Sequence, residues 1–157
     1  KLTFLPFFLI IIYFLYKENG FYKLLLILLS IALIILFTDQ FSNIIKDSFE
    51  RLRPCRLDEL QQYLRNIEVR CGKYGFFSAH AANSMAVTTL LISSFKFCYK
   101  KWISLLLILW VAFFSYSRIY LGVHYPLDTF FGLFFGFIFG ISASYLVNCT
   151  KFIELIK

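Results

Sequence analysis

The sequence predicts an all-α protein, a polytopic transmembrane helical bundle that forms one domain over residues 1–157. Of its 157 residues, 60% are hydrophobic, 21% are aromatic and only 16% are charged. Soluble domains are nearer half apolar and a quarter charged. The 21 phenylalanines exceed what one soluble core needs, so many of them are expected to face lipid. The apolar runs are also too long and uniform for barrel strands, whose residues would alternate.

Five apolar runs are the candidate spans, because a helix that crosses a bilayer needs about 20 mostly apolar residues. They are residues 2–16, 24–45, 79–95, 102–117 and 129–150. Turns are predicted near 17–23, 96–101 and 118–128, and a long loop over 46–77. The first run is short and the chain begins with Lys1, so we expect a further N-terminal segment with a sixth span. A cleavable signal peptide over 1–16 is the alternative, but no small-residue cleavage site follows.

The basic residues sort by type between the two predicted membrane faces. One face holds seven lysines, and the opposite face holds all six arginines with two lysines. Seven against eight is too close for the positive-inside rule to decide orientation. The planar arginine fork suits phosphate or carboxylate binding. We therefore expect the lysine face to be cytoplasmic. The arginine face is then a functional surface on the periplasmic or outer side of a bacterial inner membrane.

Three polar clusters lie at that arginine face. The first is KDSFERLRPC, residues 46–55. Lys46 and Arg53 are seven residues apart, so on a continuing helix they would share a face before Pro54 ends it. This pattern predicts an anion-binding pair. Cations that reach from a span end toward water are the alternative interpretation.

The second and third clusters open the third and fifth spans. Ser78 is a good N-cap for the third span, and His80 would lie in its first turn, where helix N-termini bind phosphate. Pro126 is a natural first-turn residue, which puts His124 just before the fifth span and Asp128 inside it. The carboxylate could then accept the ring N–H of His124 and leave the other nitrogen free. The alternatives are an interfacial histidine and a carboxylate that balances the helix dipole.

With these clusters the chain resembles the type-2 phosphatidic acid phosphatase superfamily of integral-membrane lipid phosphatases. The first motif of the family is Lys, six residues, Arg-Pro, which matches Lys46 through Arg53-Pro54. The second is Pro-Ser-Gly-His, of which Phe77-Ser78-Ala79-His80 keeps Ser and His. The third is Ser-Arg, five residues, His, three residues, Asp, which matches Ser117-Arg118, His124 and Asp128.

The resemblance implies a role for each matched residue. His124 would attack phosphorus to form a phosphohistidine, and Asp128 would orient it. His80 would protonate the leaving oxygen and later help to activate water. The phosphoryl oxygens would be held by Lys46, Arg53, Ser78 and Arg118. Such a site uses cations and imidazoles for the transition-state charge, so no metal, cofactor or nucleic acid is expected.

A site at the lipid–water boundary suits a substrate whose tail stays in the bilayer while its phosphate stands at the surface. The leading expectation is undecaprenyl diphosphate, with phosphatidylglycerophosphate and the phosphates of lipid A as alternatives. A non-enzymatic lipid-binding or transport protein is the rival from another class. The oligomeric state is left open.

The four cysteines divide between the two faces. Cys55 and Cys71 both lie in the outer loop, where an oxidising compartment favours a disulfide over two free thiols. Cys98 and Cys149 lie near the lysine face and are interpreted as free thiols or span-end packing.

Overall fold

The structure of this chain, a computed structural model, describes residues 5–63, 71–94 and 101–154. Its helices are α1 (Leu5–Phe49), a 3-10 turn (Pro54–Arg56), α2 (Asp58–Gln61), α3 (Ala79–Ser94), α4 (Lys101–Tyr120) and α5 (Pro126–Glu154). Within the described residues, β pairing is limited to one antiparallel bridge between Leu52 and Tyr74. The predicted all-α class is therefore confirmed.

Three of the described helices are long and apolar enough to cross a membrane. The candidate spans within them are Ile12–Phe49, Lys101–Tyr120 and Pro126–Cys149. The first two predicted runs merge into α1, and the break expected over 17–23 is one non-helical residue, Gly20 (φ 74°, ψ 174°). Glycine adopts this backbone without a Cβ penalty. The described part of α3 has 16 residues, and the turn expected at 96–101 falls largely outside the described residues.

Large apolar side chains cover the outside of the long helices. Leu36 is 63% exposed, Phe113 74% and Tyr145 72%. A water-soluble monomer rarely exposes extensive contiguous apolar surface. Exposure of this kind along helices of spanning length fits the expectation that the surplus aromatic residues face lipid.

Helix α3 packs most closely against α5, through glycines spaced four residues apart. A Cβ built on Gly132 would lie 2.5 Å from the Ser78 carbonyl oxygen, and one on Gly140 would lie 2.6 Å from that of Ala86. A Cβ on Gly136 would overlap the Ala82 carbonyl. Small residues let helix backbones approach this closely in membranes. The contact sets the N-terminus of α3 beside that of α5.

An aromatic layer lies between α1, α3 and α5, next to those helix N-termini. Phe77 is fully buried; its ring centroid is 5.1 Å from that of Phe135 and 5.9 Å from that of Phe41. Further along the helices the core is aliphatic, with Ile27, Ile34 and Leu90 buried together. The polar clusters therefore rest on a packed support.

Candidate active site

Lys46 and Arg53 do not share a helix face, so that prediction was wrong. Helix α1 ends at Phe49, Glu50 takes a positive φ of 46°, and Arg53 is extended at φ −72° and ψ 154°. Pro54 accounts for part of this, because the residue before a proline is disfavoured in the helical region. The two cations are nevertheless within electrostatic range of each other.

A short backbone clamp, formed by residues 71–75, holds Arg53 in place. The Arg53 backbone N–H donates to the Lys73 carbonyl (3.3 Å), and the Gly75 N–H donates to the Arg51 carbonyl (2.9 Å). The side-chain Nε of Arg53 donates to the Tyr74 carbonyl (2.8 Å). The guanidinium is therefore fixed by the clamp from both its backbone and its side chain.

The two glycines of the clamp lie against the Arg53 side chain. A Cβ on Gly72 would lie 3.2 Å from Arg53 Nη2, and one on Gly75 would lie 3.1 Å from its Cγ. The Cβ built on Gly75 would also lie 3.3 Å from Asp128 Oδ2. Gly75 therefore sits between the arginine and the carboxylate. A side chain at Gly72 would crowd the guanidinium, and one at Gly75 would crowd the aliphatic stem of Arg53 and the Asp128 carboxylate.

A disulfide joins Cys55 to Cys71, which confirms the predicted pairing. Cys55 follows Arg53 by two residues, and Cys71 is the first residue of the clamp. The Cys55 N–H also donates to the Gly122 carbonyl (3.0 Å), which ties this region to the loop before α5. Cys149 is free and exposed, whereas Cys98 lies outside the described residues.

Asp128 and His124 stand at the start of α5, as their spacing predicted. The helix begins at Pro126, His124 lies in the loop before it, and both site residues are buried, at 3% exposure for His124 and 0% for Asp128. Asp128 Oδ2 accepts the Tyr125 backbone N–H (3.0 Å) and lies 3.6 Å from His124 Nδ1. That separation is longer than a hydrogen bond, and His124 Nδ1 has no hydrogen-bond partner. A small movement of the ring would make the predicted bond.

Arg51 is a site residue that the sequence analysis did not select. Its Nη1 donates to Asp128 Oδ1 (3.0 Å), and its guanidinium carbon lies 4.1 Å from the Tyr125 ring centroid. The arginine thus fixes the oxygen of Asp128 that does not face His124. The sequence separation of 77 between the partners explains why no local pattern indicated the pair.

Burial lowers the pKa of His124 below its ordinary value, and the positive charges of Arg53 and Lys46 act in the same direction. Asp128 opposes them by favouring the protonated ring. Desolvation is the largest cause, because a buried imidazolium loses its hydration. The neutral ring, which a nucleophile requires, is therefore favoured at neutral pH.

Ser78 and His80 open α3 beside this pair. The helix begins at Ala79, and Ser78 Oγ accepts the Ala81 N–H at 3.4 Å, so the predicted N-cap is confirmed. The Ser78 N–H donates to the Asp128 carbonyl (3.0 Å), which links the starts of α3 and α5 directly. His80 is exposed and lies within electrostatic range of His124 and Arg118.

Arg118 reaches the site from the last turn of α4. Its guanidinium carbon lies 4.9 Å from the Phe114 ring centroid, and the His80 ring lies 6.2 Å from the same ring. The Arg118 carbonyl accepts the N–H of His124 at 3.3 Å, so the end of α4 also holds the loop before α5. Lys46 Nζ donates to Ser42 Oγ at 2.8 Å. Both cations therefore hold defined positions.

Comparison with known proteins identifies the group to which this arrangement belongs. The model of the PAP2 superfamily matches residues 23–151. The chain belongs to the PAP2 superfamily. The match covers every predicted site residue, from Lys46 to Asp128.

Two curated relatives bear the same name. The chain is 36% identical over 140 residues to a lipid A 4'-phosphatase of Bacteroides thetaiotaomicron, covering 87% of this chain and 60% of that protein. It is 32% identical over 133 residues to a lipid A 4'-phosphatase of Porphyromonas gingivalis, covering 82% of this chain and 54% of that protein. The chain therefore spans somewhat more than half the length of these relatives.

A solved PAP2 structure has the same fold. It is the crystal structure of a transmembrane PAP2-type phosphatidylglycerolphosphate phosphatase from Bacillus subtilis. The TM-score is 0.63 at 24% identity, and the alignment covers 98% of this chain and 70% of that one. At this identity the likeness concerns the fold, a transmembrane PAP2 bundle.

Proposed function

We propose that this chain is a metal-independent membrane lipid phosphatase. The observation that carries the proposal is the buried His124 beside the Asp128 carboxylate, with Arg53, Lys46 and a second histidine within electrostatic range. Membership of the PAP2 superfamily supports the same activity. A neutral nucleophile among cations is what an anionic phosphoryl group requires.

The proposed reaction has two steps. With Nδ1 turned toward Asp128, His124 would attack phosphorus through Nε2, forming an N–P bond while the P–O bond to the lipid breaks. His80 gives its proton to the departing lipid oxygen. Water then attacks the phosphohistidine, His80 accepts a proton from that water, and the N–P bond breaks to release phosphate.

Four groups would hold the phosphoryl oxygens during both steps. Lys46, Arg53 and Arg118 supply positive charge, and Ser78 supplies a hydroxyl at the start of α3. The charge of a phosphoryl-transfer transition state is spread over its equatorial oxygens, so fixed cations stabilise it without a large reorganisation. The clamp on Arg53 and the Lys46–Ser42 bond provide that fixed placement.

The proposed substrate is lipid A. Its 4'-phosphoryl group would be transferred to His124, and the lipid oxygen would leave. The names of both curated relatives support this alternative better than undecaprenyl diphosphate, which was the leading expectation from sequence. The phosphatase from Bacillus subtilis supports the fold only. We further propose that the site faces the periplasm, because the arginines that the structure describes (Arg51, Arg53, Arg56 and Arg118) gather at that end of the bundle.

Phosphate release by the purified protein in detergent tests the proposal. Lipid A, phosphatidylglycerophosphate and undecaprenyl diphosphate are compared, with His124→Ala as the inactive control. Fastest release from lipid A supports the substrate, and preference for another lipid overturns it. No release from any of the three, by protein that is monodisperse and folded, would favour the non-enzymatic rival.

Orientation is tested separately. A cysteine-free variant with one thiol at Arg65 should react with an impermeant maleimide added to spheroplasts. Reaction only after membrane rupture would reverse the proposed topology.

A further inference from the structure

A line of polar residues runs along one face of α1, away from the phosphate-binding end. Lys46, Ser42 and Asp39 are separated by four and three residues, so they share a face of the helix. Asp39 is seven residues before Lys46, a rise of about 10 Å along the helix. It lies inside the candidate span Ile12–Phe49, well below the end that carries the site.

Asp39 is a carboxylate whose hydrogen bonding is incomplete. Its Oδ1 accepts the side-chain N–H of Asn83 at 3.0 Å, and the residue is exposed on the surface of the bundle. Within the described residues that is its one hydrogen bond, so Oδ2 remains available to a donor from outside the protein. An acidic residue within a membrane-spanning helix is costly to insert and commonly marks a functional site.

Asn83 holds the carboxylate in place, and among the residues that the structure describes its side chain makes this one hydrogen bond. Its Oδ1 is buried without a partner, so its hydrogen bonding is directed to Asp39 alone. Asn83 follows His80 by three residues on α3, which puts both on the same side of that helix. Asp39 is within electrostatic range of both Lys46 and His80. A lipid whose phosphate contacts those two residues would pass this carboxylate.

We propose that Asp39, positioned by Asn83, is a specificity subsite that accepts a hydrogen bond from the lipid just below its phosphorylated headgroup. The inference rests on the proposed lipid phosphatase function. The subsite selects lipids that carry a hydroxyl or amide N–H at this depth, as an acylated amino sugar does. Ester-linked diacylglycerol phosphates offer acceptors only, and polyprenyl chains offer neither donors nor acceptors, so both leave the carboxylate without a partner.

The competing explanation is that Asp39 only joins α1 to α3 or adjusts the charge around His80. In that case its loss would lower hydrolysis of every substrate by the same factor. A donor-specific subsite changes the ratio between substrates instead. The two explanations therefore predict different ratios of kcat/KM between the substrates, and this ratio does not depend on the amount of folded enzyme.

The experiment measures kcat/KM for an amide-acylated glucosamine phosphate and for phosphatidic acid of matched chain length. Asp39→Leu is expected to lower the ratio of the two values about tenfold, as for loss of a hydrogen bond to a charged group. Asp39→Asn preserves the side-chain shape and is expected to lower the ratio in the same direction. Gln40→Leu, at the adjacent exposed position, which points about 100° away from Asp39 around α1, is the matched control and should leave the ratio unchanged.

Binding of both lipids to the His124→Ala variant is measured in parallel, with and without Asp39→Leu. An unchanged ratio in both turnover and binding, or an equal fall on both lipids, overturns the subsite. Absence of turnover in the wild type, with a binding ratio that still depends on Asp39, would overturn the proposed phosphatase function and leave the subsite standing.

Discussion

Loss of the Cys55–Cys71 disulfide is expected to weaken phosphate binding, because the bond closes the clamp on Arg53. The bond spans 16 residues of sequence, and a closed loop of this length is worth about 3 kcal/mol in the chain-entropy model. The remaining attachments of the clamp to residues 51–53 are three hydrogen bonds, each contributing about 1 kcal/mol net. Without the disulfide, those bonds must offset the entropy of ordering the loop unaided.

The size of the effect on activity follows from the proposed contact between Arg53 and the phosphoryl oxygens. A hydrogen bond from a charged group is worth about 1.5–3 kcal/mol, so complete release of the guanidinium would cost about 10- to 100-fold in kcat/KM. Because the clamp should open for only part of the time, we expect a loss near tenfold. Binding of vanadate, which resembles the transferring phosphoryl group, should weaken by a similar factor.

The assay compares four samples. Wild-type protein and the Cys55→Ser/Cys71→Ser double variant are each assayed with and without a phosphine reductant, and mass spectrometry after alkylation confirms reduction. Reductant should lower wild-type activity to the level of the double variant and leave the double variant unaffected. Cys149→Ser, which removes the exposed free thiol, should respond as the wild type does. Full activity in verified reduced wild type would refute the coupling of the disulfide to Arg53.

Four further predictions concern the catalytic groups and their support. His80→Ala should lose far more kcat on a lipid phosphate than on p-nitrophenyl phosphate, because the leaving group of the latter needs little protonation and general acid catalysis is worth about 10²–10⁴-fold. His124→Ala should fail on both substrates. Equal losses in all four measurements would exclude these roles. Because burial lowers the pKa of His124, the acidic limb of kcat/KM against pH should fall below the ordinary imidazole value of about 6.5, and a limb above that value would contradict the burial argument. Arg51→Ala should lower kcat about tenfold by freeing Asp128 Oδ1, with partial recovery in Arg51→Lys; wild-type kcat in Arg51→Ala would show that the pair is dispensable. Gly136→Leu should lower the thermal midpoint by forcing α3 from α5, whereas Phe137→Leu on the exposed face should not, and equal midpoints would contradict close packing there.

Local features of the site could be predicted from sequence because they depend on neighbouring residues. Ser78 as an N-cap and Pro126 at the first turn of α5 follow from helix-end chemistry, and four-residue spacing is enough to put His124 near Asp128. The same reasoning failed for Lys46 and Arg53, where helical spacing was extended past the end of α1. Glu50, with its positive φ, leaves the helical conformation there.

Long-range features could not be read from local patterns. The Arg51–Asp128 bond joins residues 77 apart, and the Arg53–Tyr74 bond joins residues 21 apart through a loop without a periodic pattern. The packing of α3 on α5 did have a signal in the four-residue spacing of Gly132 and Gly136. The length and charge of the apolar runs, which predict the spans, carry no information about this spacing.

Asp128 connects His124, the proposed nucleophile, to Arg53, the proposed phosphate-binding arginine. Its Oδ2 faces His124, while its Oδ1 accepts a hydrogen bond from the Arg51 guanidinium. The Arg51 carbonyl in turn accepts the backbone N–H of Gly75 in the clamp. Arg51 and Arg53 lie on one short extended segment, so a shift of the clamp that displaces one arginine must displace the other. Misplaced phosphate contacts and a misoriented imidazole would then arise together. On this account, reduction of the disulfide should lower kcat as well as raise KM, whereas a disulfide that served only phosphate binding would leave kcat unchanged at saturating substrate.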